Sequence, residues 1–328
     1  MLMGGKKIKS VSYAKYGYIF SLPFVLAFLI FTAYPVLYTA VIGFTDLKGL
    51  GKTDFKFLEN PFQNFIQILK TPSFQKSLGN TVLIWTVNFL PQILLALLLT
   101  AWFTNQRQKI RGQGAFKVLF YMPNIITAAT IAILFSTLFG YPMGPMNDLF
   151  KLLGLSQEPI NFLNNKTTAR MVVSFIQFWM WYGQTMIVLI AGVLGINPEL
   201  FEAAEIDGAT SRQVFFYITL PSLRTIMLFT LVTSLIGGMQ MFDIPKLFLN
   251  GGPDNATLTV SVFIYNQAFS GSYMYNRAAA ASMILFIIIV VLSAILFYVM
   301  RDKDAAKMKK EIKKMKAAQK AAAKGVQA

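Results

Sequence analysis

The sequence predicts an all-α integral membrane protein with six transmembrane helices and a helix–turn–helix in one loop between them. Three observations carry this. Of 328 residues, 55% are apolar and only 13% are charged, about half the charged share of a soluble domain. Six apolar runs, 16–45, 80–105, 115–139, 171–196, 222–242 and 278–300, hold no Asp, Glu, Lys or Arg in their interiors. Each has about 20 residues or more, enough to cross the hydrocarbon layer of a bilayer. Lys and Arg divide 20 to 10 between the two terminal segments with the loops 105–117 and 196–224 and the alternate loops 45–79, 140–170 and 246–277. By the positive-inside rule this places both termini in the cytoplasm.

The elements follow in order. Residues 1–15 form a basic N-terminal segment with Lys6, Lys7, Lys9 and Lys15, expected in the cytoplasm. The run 16–45 is too long for a signal-peptide core, so it reads as an uncleaved first span. After it, 61–70 places Phe62, Phe65, Ile66 and Leu69 at helical spacing, a short helix expected at the outer interface. The run 115–139 reads as one continuous third span. Residues 147–155 read as a similar short amphipathic piece, and 250–255, Asn-Gly-Gly-Pro-Asp-Asn, as a turn cluster. Residues 16–300 are thus a six-helix membrane domain, and 301–328 a basic cytoplasmic tail, Ala/Lys-rich and helical.

Several chemistries are excluded by composition. Cys and His are absent, which removes thiolate metal sites, disulfides and imidazole bases. The net charge of +16 is concentrated beside spans and in the tail, so it reads as membrane topology rather than a nucleic-acid surface. The stretch 49–53, Gly-Leu-Gly-Lys-Thr, looks like the end of a nucleotide-binding loop. That motif needs a Gly where Asp46 stands, so no ATP site is expected in this chain. The spans carry only neutral polar groups: Asn88, Gln92, Gln177, Gln184, Thr185, Ser234 and Gln240. Ion-coupled carriers place ionisable or coordinating groups at mid-membrane, and none is visible here. Interhelical hydrogen bonding accounts for scattered amides and hydroxyls equally well.

The most informative stretch is 197–221, between the fourth and fifth spans. Asn197 can cap a helix with Pro198 in its first position and acids in its first turn. Gly208 permits a sharp exit. Residues 212–220 then form a second short helix that Pro221 stops. The small Ala203, Ala204 and Gly208 allow close backbone approach, which suits a hairpin docking into a groove on a partner.

This stretch resembles the EAA loop of binding-protein-dependent ABC importer permeases. It carries Glu202, Ala203 and Ala204, then Asp207, Gly208 and Ala209, then Ile218, Thr219, Leu220 and Pro221. Other stretches are similar to the carbohydrate-uptake (maltose/multiple-sugar permease) branch. They are Tyr34 with Pro35, Asn80 with Thr81, 119–123 (Leu-Phe-Tyr-Met-Pro), Trp179 with Gly183, and Gly251, Gly252 and Pro253 followed by Ile264 and Tyr265. The large extracytoplasmic insert of the maltose permease is missing, so the shorter multiple-sugar permeases are the better comparison.

The resemblance implies a multi-pass permease subunit in a bacterial or archaeal plasma membrane, part of an ATP-driven sugar importer. It implies a second homologous permease, forming a heterodimer, two cytoplasmic ATPase subunits that hold ATP and Mg, and an extracytoplasmic sugar-binding protein. No cofactor is expected in this chain, and no catalysis. Glu202, Ala203, Ala204, Asp207 and Gly208 would form the element that couples to the ATPase. Trp179, Trp181, Tyr182, Gly183, Gln184, Ser234, Gly238, Gln240 and Asp243 match the sugar-contacting region. Aromatic faces for sugar rings and amides for hydroxyls are chemically apt. Gly238 stands where the maltose permease has an Asn, so the contact pattern must differ. Packing explains Trp179 and Gly183 as readily. The alternative function is a self-contained, ion-coupled secondary carrier.

Overall fold

A computed structural model describes residues 14–105 and 110–300, with 311 and 315. The expected helical tail and most of the basic N-terminal segment lie outside the described residues. Among the described residues the structure is helical, with one isolated antiparallel bridge between Thr45 and Phe57. The chain divides into two units: Met1–Leu69 with Asn266–Met283, and Lys70–Tyr265 with Ile284–Ala328.

In the first unit, α1 (Ala14–Phe28) passes through a π turn (Leu29–Ala33) into α2 (Tyr34–Ile42). Together they make a first span, Lys15–Ile42, of 28 residues. The amphipathic helix α3 (Gln63–Lys70) turns Asn64 and Ile68 inward. Asn64 and Ile68 are its buried residues, while Phe62, Ile66 and Leu69 are exposed. Asn64 Nδ2 donates to the carbonyls of Gly43 and Thr45, both at 2.9 Å, tying the helix to the end of the first span. Ile66 and Leu69 are left outward, as an interfacial helix requires, while Phe65 packs on Phe44 with ring centroids 4.9 Å apart. The 49–53 stretch has positive φ at Gly49 and Gly51 and is followed by extended chain, with no helix before α3.

In the second unit, α4 (Pro72–Phe103) and α8 (Lys166–Leu194) are long, membrane-length helices. The third span departs from expectation. The run 115–139, charged only at Lys117 near its start, gives two helices, α5 (Gln113–Ile125) and α6 (Ala128–Leu138), bent by 91°. The chain goes extended at Ile126 and Thr127, and the Thr127 hydroxyl caps α6 by accepting from the Thr130 N–H. Helix α7 (Pro145–Leu152) follows. Its buried Asn147 binds the 140–160 connection, accepting from the Ile160 N–H at 2.8 Å and donating to the Gly140 and Ile160 carbonyls.

Among the described residues five helices can each cross a membrane by length and composition, and six crossings result when the bent pair is one. This is the six-helix membrane fold that the apolar runs predict.

After α8 comes a hairpin of α9 (Pro198–Ile206), α10 (Ser211–Val214), a π turn (Phe215–Thr219) and α11 (Leu220–Ser222). Pro221 does not stop the helix as expected. It sits in the first turn of α11, where its missing N–H costs nothing, and the π turn before it absorbs the ring. A single non-helical residue, Leu223, leads into α12 (Arg224–Met239). Leu223 is fully buried, and a Cβ on Gly192 would lie 2.8 Å from its Cδ2, so the Leu223 side chain is seated on this glycine of α8.

The span region Arg224–Leu249 is also interrupted, at 240–242, before α13 (Asp243–Leu249). The Thr259 hydroxyl donates to the carbonyl of Met241 at 2.9 Å, satisfying backbone that the break leaves free. Helices α14 (Val260–Phe269) and α15 (Tyr275–Met300) follow.

Two buried apolar clusters lie along α8. One joins its first half to α6 and α13 through Phe135, Ile176, Met180 and Ile244. The other joins its second half to α4 through Ala96, Leu99, Tyr182, Met186 and Leu189. Between 250 and 260 the turn cluster is locked onto α4 and α8. Arg170 donates to the Ala256 carbonyl and to Asn80 Oδ1, both at 2.9 Å, and Asn80 Nδ2 donates to the carbonyls of Asn255 and Leu258.

Candidate functional site: a neutral cavity and a capped hairpin

A cavity of about 480 Å³ opens in the second unit where α4, α8, α12 and the break before α13 face one another. Helix α4 contributes Trp85, Asn88 and Gln92, spaced so that all three fall on one face. Helix α8 contributes Gln177, Trp181, Gln184 and Thr185, again one stripe. Helix α12 adds Phe229, Thr230, Thr233, Ser234 and Gly238, and the break adds Gln240 and Asp243. Asp243 is the one ionisable side chain in this lining.

The polar groups are partly tied to one another. Gln92 Nε2 donates to Thr185 Oγ1 at 2.7 Å, joining α4 to α8. Trp85 Nε1 donates to Ser234 Oγ at 3.2 Å, joining α4 to α12. The Thr230 hydroxyl is buried without a hydrogen-bond partner. Such a wall offers amide and hydroxyl groups together with aromatic rings, a chemistry that suits hydroxyl-bearing solutes.

Of the residues expected here, the structure brings together Trp181, Gln184, Ser234, Gly238, Gln240 and Asp243. Trp179, Tyr182 and Gly183 are not in the lining. The Trp179 ring packs edge-on against Phe135 at 5.6 Å, and Tyr182 lies buried against Phe120 and Phe178. A Cβ on Gly183 would come 2.1 Å from the Phe120 carbonyl oxygen, so this glycine lets α8 and α5 touch backbone to backbone. Sequence reading passed over Trp85, Phe229, Thr230 and Thr233. For Trp85 a signal existed in its spacing to Asn88 and Gln92.

The hairpin is built by local capping. Asn197 Oδ1 accepts from the Glu199 N–H, and Pro198 opens α9. At the other end Gly208 has φ +71. Its N–H bonds the Glu205 carbonyl at 3.1 Å and the Ala209 N–H bonds the Ala204 carbonyl at 2.9 Å, a Schellman closure. Thr210 and Gln213 then form a reciprocal capping box that starts α10. Ala204 is buried, whereas Glu202, Ala203, Asp207 and Gly208 lie at the surface, beside an 87% exposed Ile206. A second cavity, about 560 Å³, lies between the end of α4 and this hairpin, lined by Trp102, Phe201, Phe215 and Arg212 among others.

The family model for the binding-protein-dependent transport system inner membrane component matches residues 5–308. The chain belongs to this family. It is therefore a membrane-embedded transport component and not an enzyme in its own right. Among curated relatives it is similar to the lactose transport system permease protein LacF of Rhizobium radiobacter, 32% identical over 289 residues. That match spans 88% of this chain and 94% of LacF. It is also similar to the arabinooligosaccharides transport system permease protein AraP of Bacillus subtilis, 32% identical over 266 residues, 80% of this chain and 81% of AraP. In fold it is like a chain of a bacterial ABC transporter involved in import of the acidic polysaccharide alginate. There the TM-score is 0.73 at 24% identity, over 87% of this chain and 94% of that one.

Proposed function

We propose that this chain is the membrane-spanning permease subunit of an ATP-driven, binding-protein-dependent importer for sugars, with oligosaccharides as its substrates. The observation that carries this is the cavity at the break before α13. Its lining is amides, hydroxyls and aromatic rings with one carboxylate, and it sits in a chain of this transport family. Membership together with relatives that carry lactose and arabinooligosaccharides favours a sugar. A neutral sugar matches such a wall better than an anion, because among the described residues no Lys or Arg lines the cavity to pair with a carboxylate or phosphate.

Energy comes from outside the chain. Two ATPase subunits on the cytoplasmic side hold the ATP and Mg, and the hairpin at 197–221 docks on them. Glu202, Ala203, Ala204, Asp207 and Gly208 are the coupling residues in this reading, supported by the exposure of all but the buried Ala204 on a rigidly capped turn. A second permease of the same family pairs with this chain as a heterodimer, and a sugar-binding protein delivers the substrate from outside. Both termini face the cytoplasm, supported by the Lys and Arg distribution.

Uptake of labelled lactose and of larger neutral oligosaccharides into ATP-loaded vesicles tests the proposal. Uptake that needs ATP and survives an uncoupler agrees with it. Uptake that the uncoupler abolishes while ATP is dispensable would make the chain a secondary carrier instead.

A further inference from the structure

Gly238 has a neighbour that explains it. A Cβ built on Gly238 would lie 2.0 Å from Cδ1 of Trp85 and 2.8 Å from its Nε1. The indole thus fills the space that any side chain at 238 would need. The same indole is fixed in two further ways. Its N–H donates to Ser234 Oγ one turn earlier on α12, and its ring stacks on Phe89 at 5.6 Å and 17°. Phe89 is itself buried. A side chain held by a glycine seat, a hydrogen bond and a buried ring has lost most of its rotamer freedom before any substrate arrives.

We propose that Trp85 is a specificity-determining residue of the cavity: its indole, seated on Gly238 and tethered to Ser234, sets the size of the solute that fits between α4 and α12. The proposal rests on the reading of this cavity as the sugar pathway. Its chemical content is a size limit with an aromatic wall. A slim, linear neutral glycan passes the indole, and a bulkier one meets it. The residue pair is exclusive, because a larger group at 238 and an indole at 85 cannot occupy the same space. A chain with an amide at 238 must therefore carry something smaller at 85, or place its indole elsewhere.

The test has one arm that needs no sugar. In the purified transporter, Gly238→Ala should push the indole from its seat and shift the tryptophan emission spectrum. The shift should vanish when Gly238→Ala is made in a Trp85→Phe background. The second arm uses the complete transporter in proteoliposomes with a panel of labelled neutral di- and trisaccharides, lactose and raffinose among them. Trp85→Ala should raise the raffinose-to-lactose uptake ratio about tenfold, the scale on which pocket size discriminates. Gly238→Asn should depress uptake, and adding Trp85→Ala to it should restore uptake. Trp85→Leu serves if the Ala variant elutes as aggregate.

An unchanged ratio in a Trp85 variant that still takes up sugar would overturn the inference while leaving the sugar importer intact. So would a Gly238→Ala spectrum identical to that of the unaltered protein. An unaltered transporter that takes up no member of the panel would overturn the proposed function and this inference together.

Discussion

Replacing Gly208 with Asp separates the hairpin's fold from its use. Gly208 stands at φ +71, and no atom outside its own neighbourhood lies within 4 Å of a Cβ built there. The cost of a side chain is therefore conformational and not steric. Placing an L-residue in the left-handed region costs about 1 kcal/mol. A carboxylate just past the carbonyl end of α9 adds about 0.5 kcal/mol through the helix dipole. The total, about 1.5 kcal/mol, shifts the local closed-to-frayed ratio of the turn by about tenfold. That is too little to unfold a six-span domain but enough to loosen a docking element. Gly208→Asn, whose side chain tolerates the left-handed region, should fall between the two. The assay is paired: co-purification of the ATPase with the permease, and sugar uptake at equal membrane content. The expected result is normal insertion with weakened ATPase retention and reduced uptake, graded Gly, Asn, Asp. Full retention and full uptake in Gly208→Asp would refute the assignment of this loop to coupling.

Other outcomes follow from single contacts. Gly183→Val should destabilise the detergent-solubilised protein by about 1–3 kcal/mol, read as a lower unfolding temperature, because its Cβ meets the Phe120 backbone and not a movable side chain. Arg170→Ala should cost about 1.5–3 kcal/mol locally by removing two charge-assisted hydrogen bonds. Faster protease cleavage within 250–259 would register it, and an unchanged cleavage rate would count against the clamp. Lys52→Ala should leave ATP-driven uptake unaltered, since the 49–53 stretch is a loop that opens no helix. Reporter fusions at Lys56 and Asn161 should read outside and at Arg111 inside; the reverse pattern would invert the topology.

The spans were legible because lipid-facing helices write themselves as long uncharged runs, and five of the six are helices of that kind. The 91° bend in the third was not, although Pro123 lies just before it. Hydropathy records how apolar a run is, not its direction, and the turn depends on the Thr127 cap. The hairpin's start and its Gly208 exit were readable, since capping is chemistry between near neighbours. Its end was misread: Pro221 as a stop ignores a π turn that makes room for the ring. In the cavity, Trp181, Gln184, Ser234, Gln240 and Asp243 could be placed from sequence. Trp85 showed only its spacing to Asn88 and Gln92; its role depends on Ser234 and Gly238 on α12, with Ser234 149 positions away.

The junction at Leu223 turns the hairpin and α12 into a lever with a fulcrum. Helix lies on both sides of it, one residue of turn between, and that residue is wedged against Gly192 in the buried cluster. The fifteen residues from Leu223 to Gly238 span about 22 Å of helix. A tilt of about 10° about the fulcrum therefore carries Gly238 sideways by about 4 Å, roughly the width of a side chain. A small push on the loop would thus withdraw the seat beneath Trp85, and the cavity would change shape there without any helix having to bend.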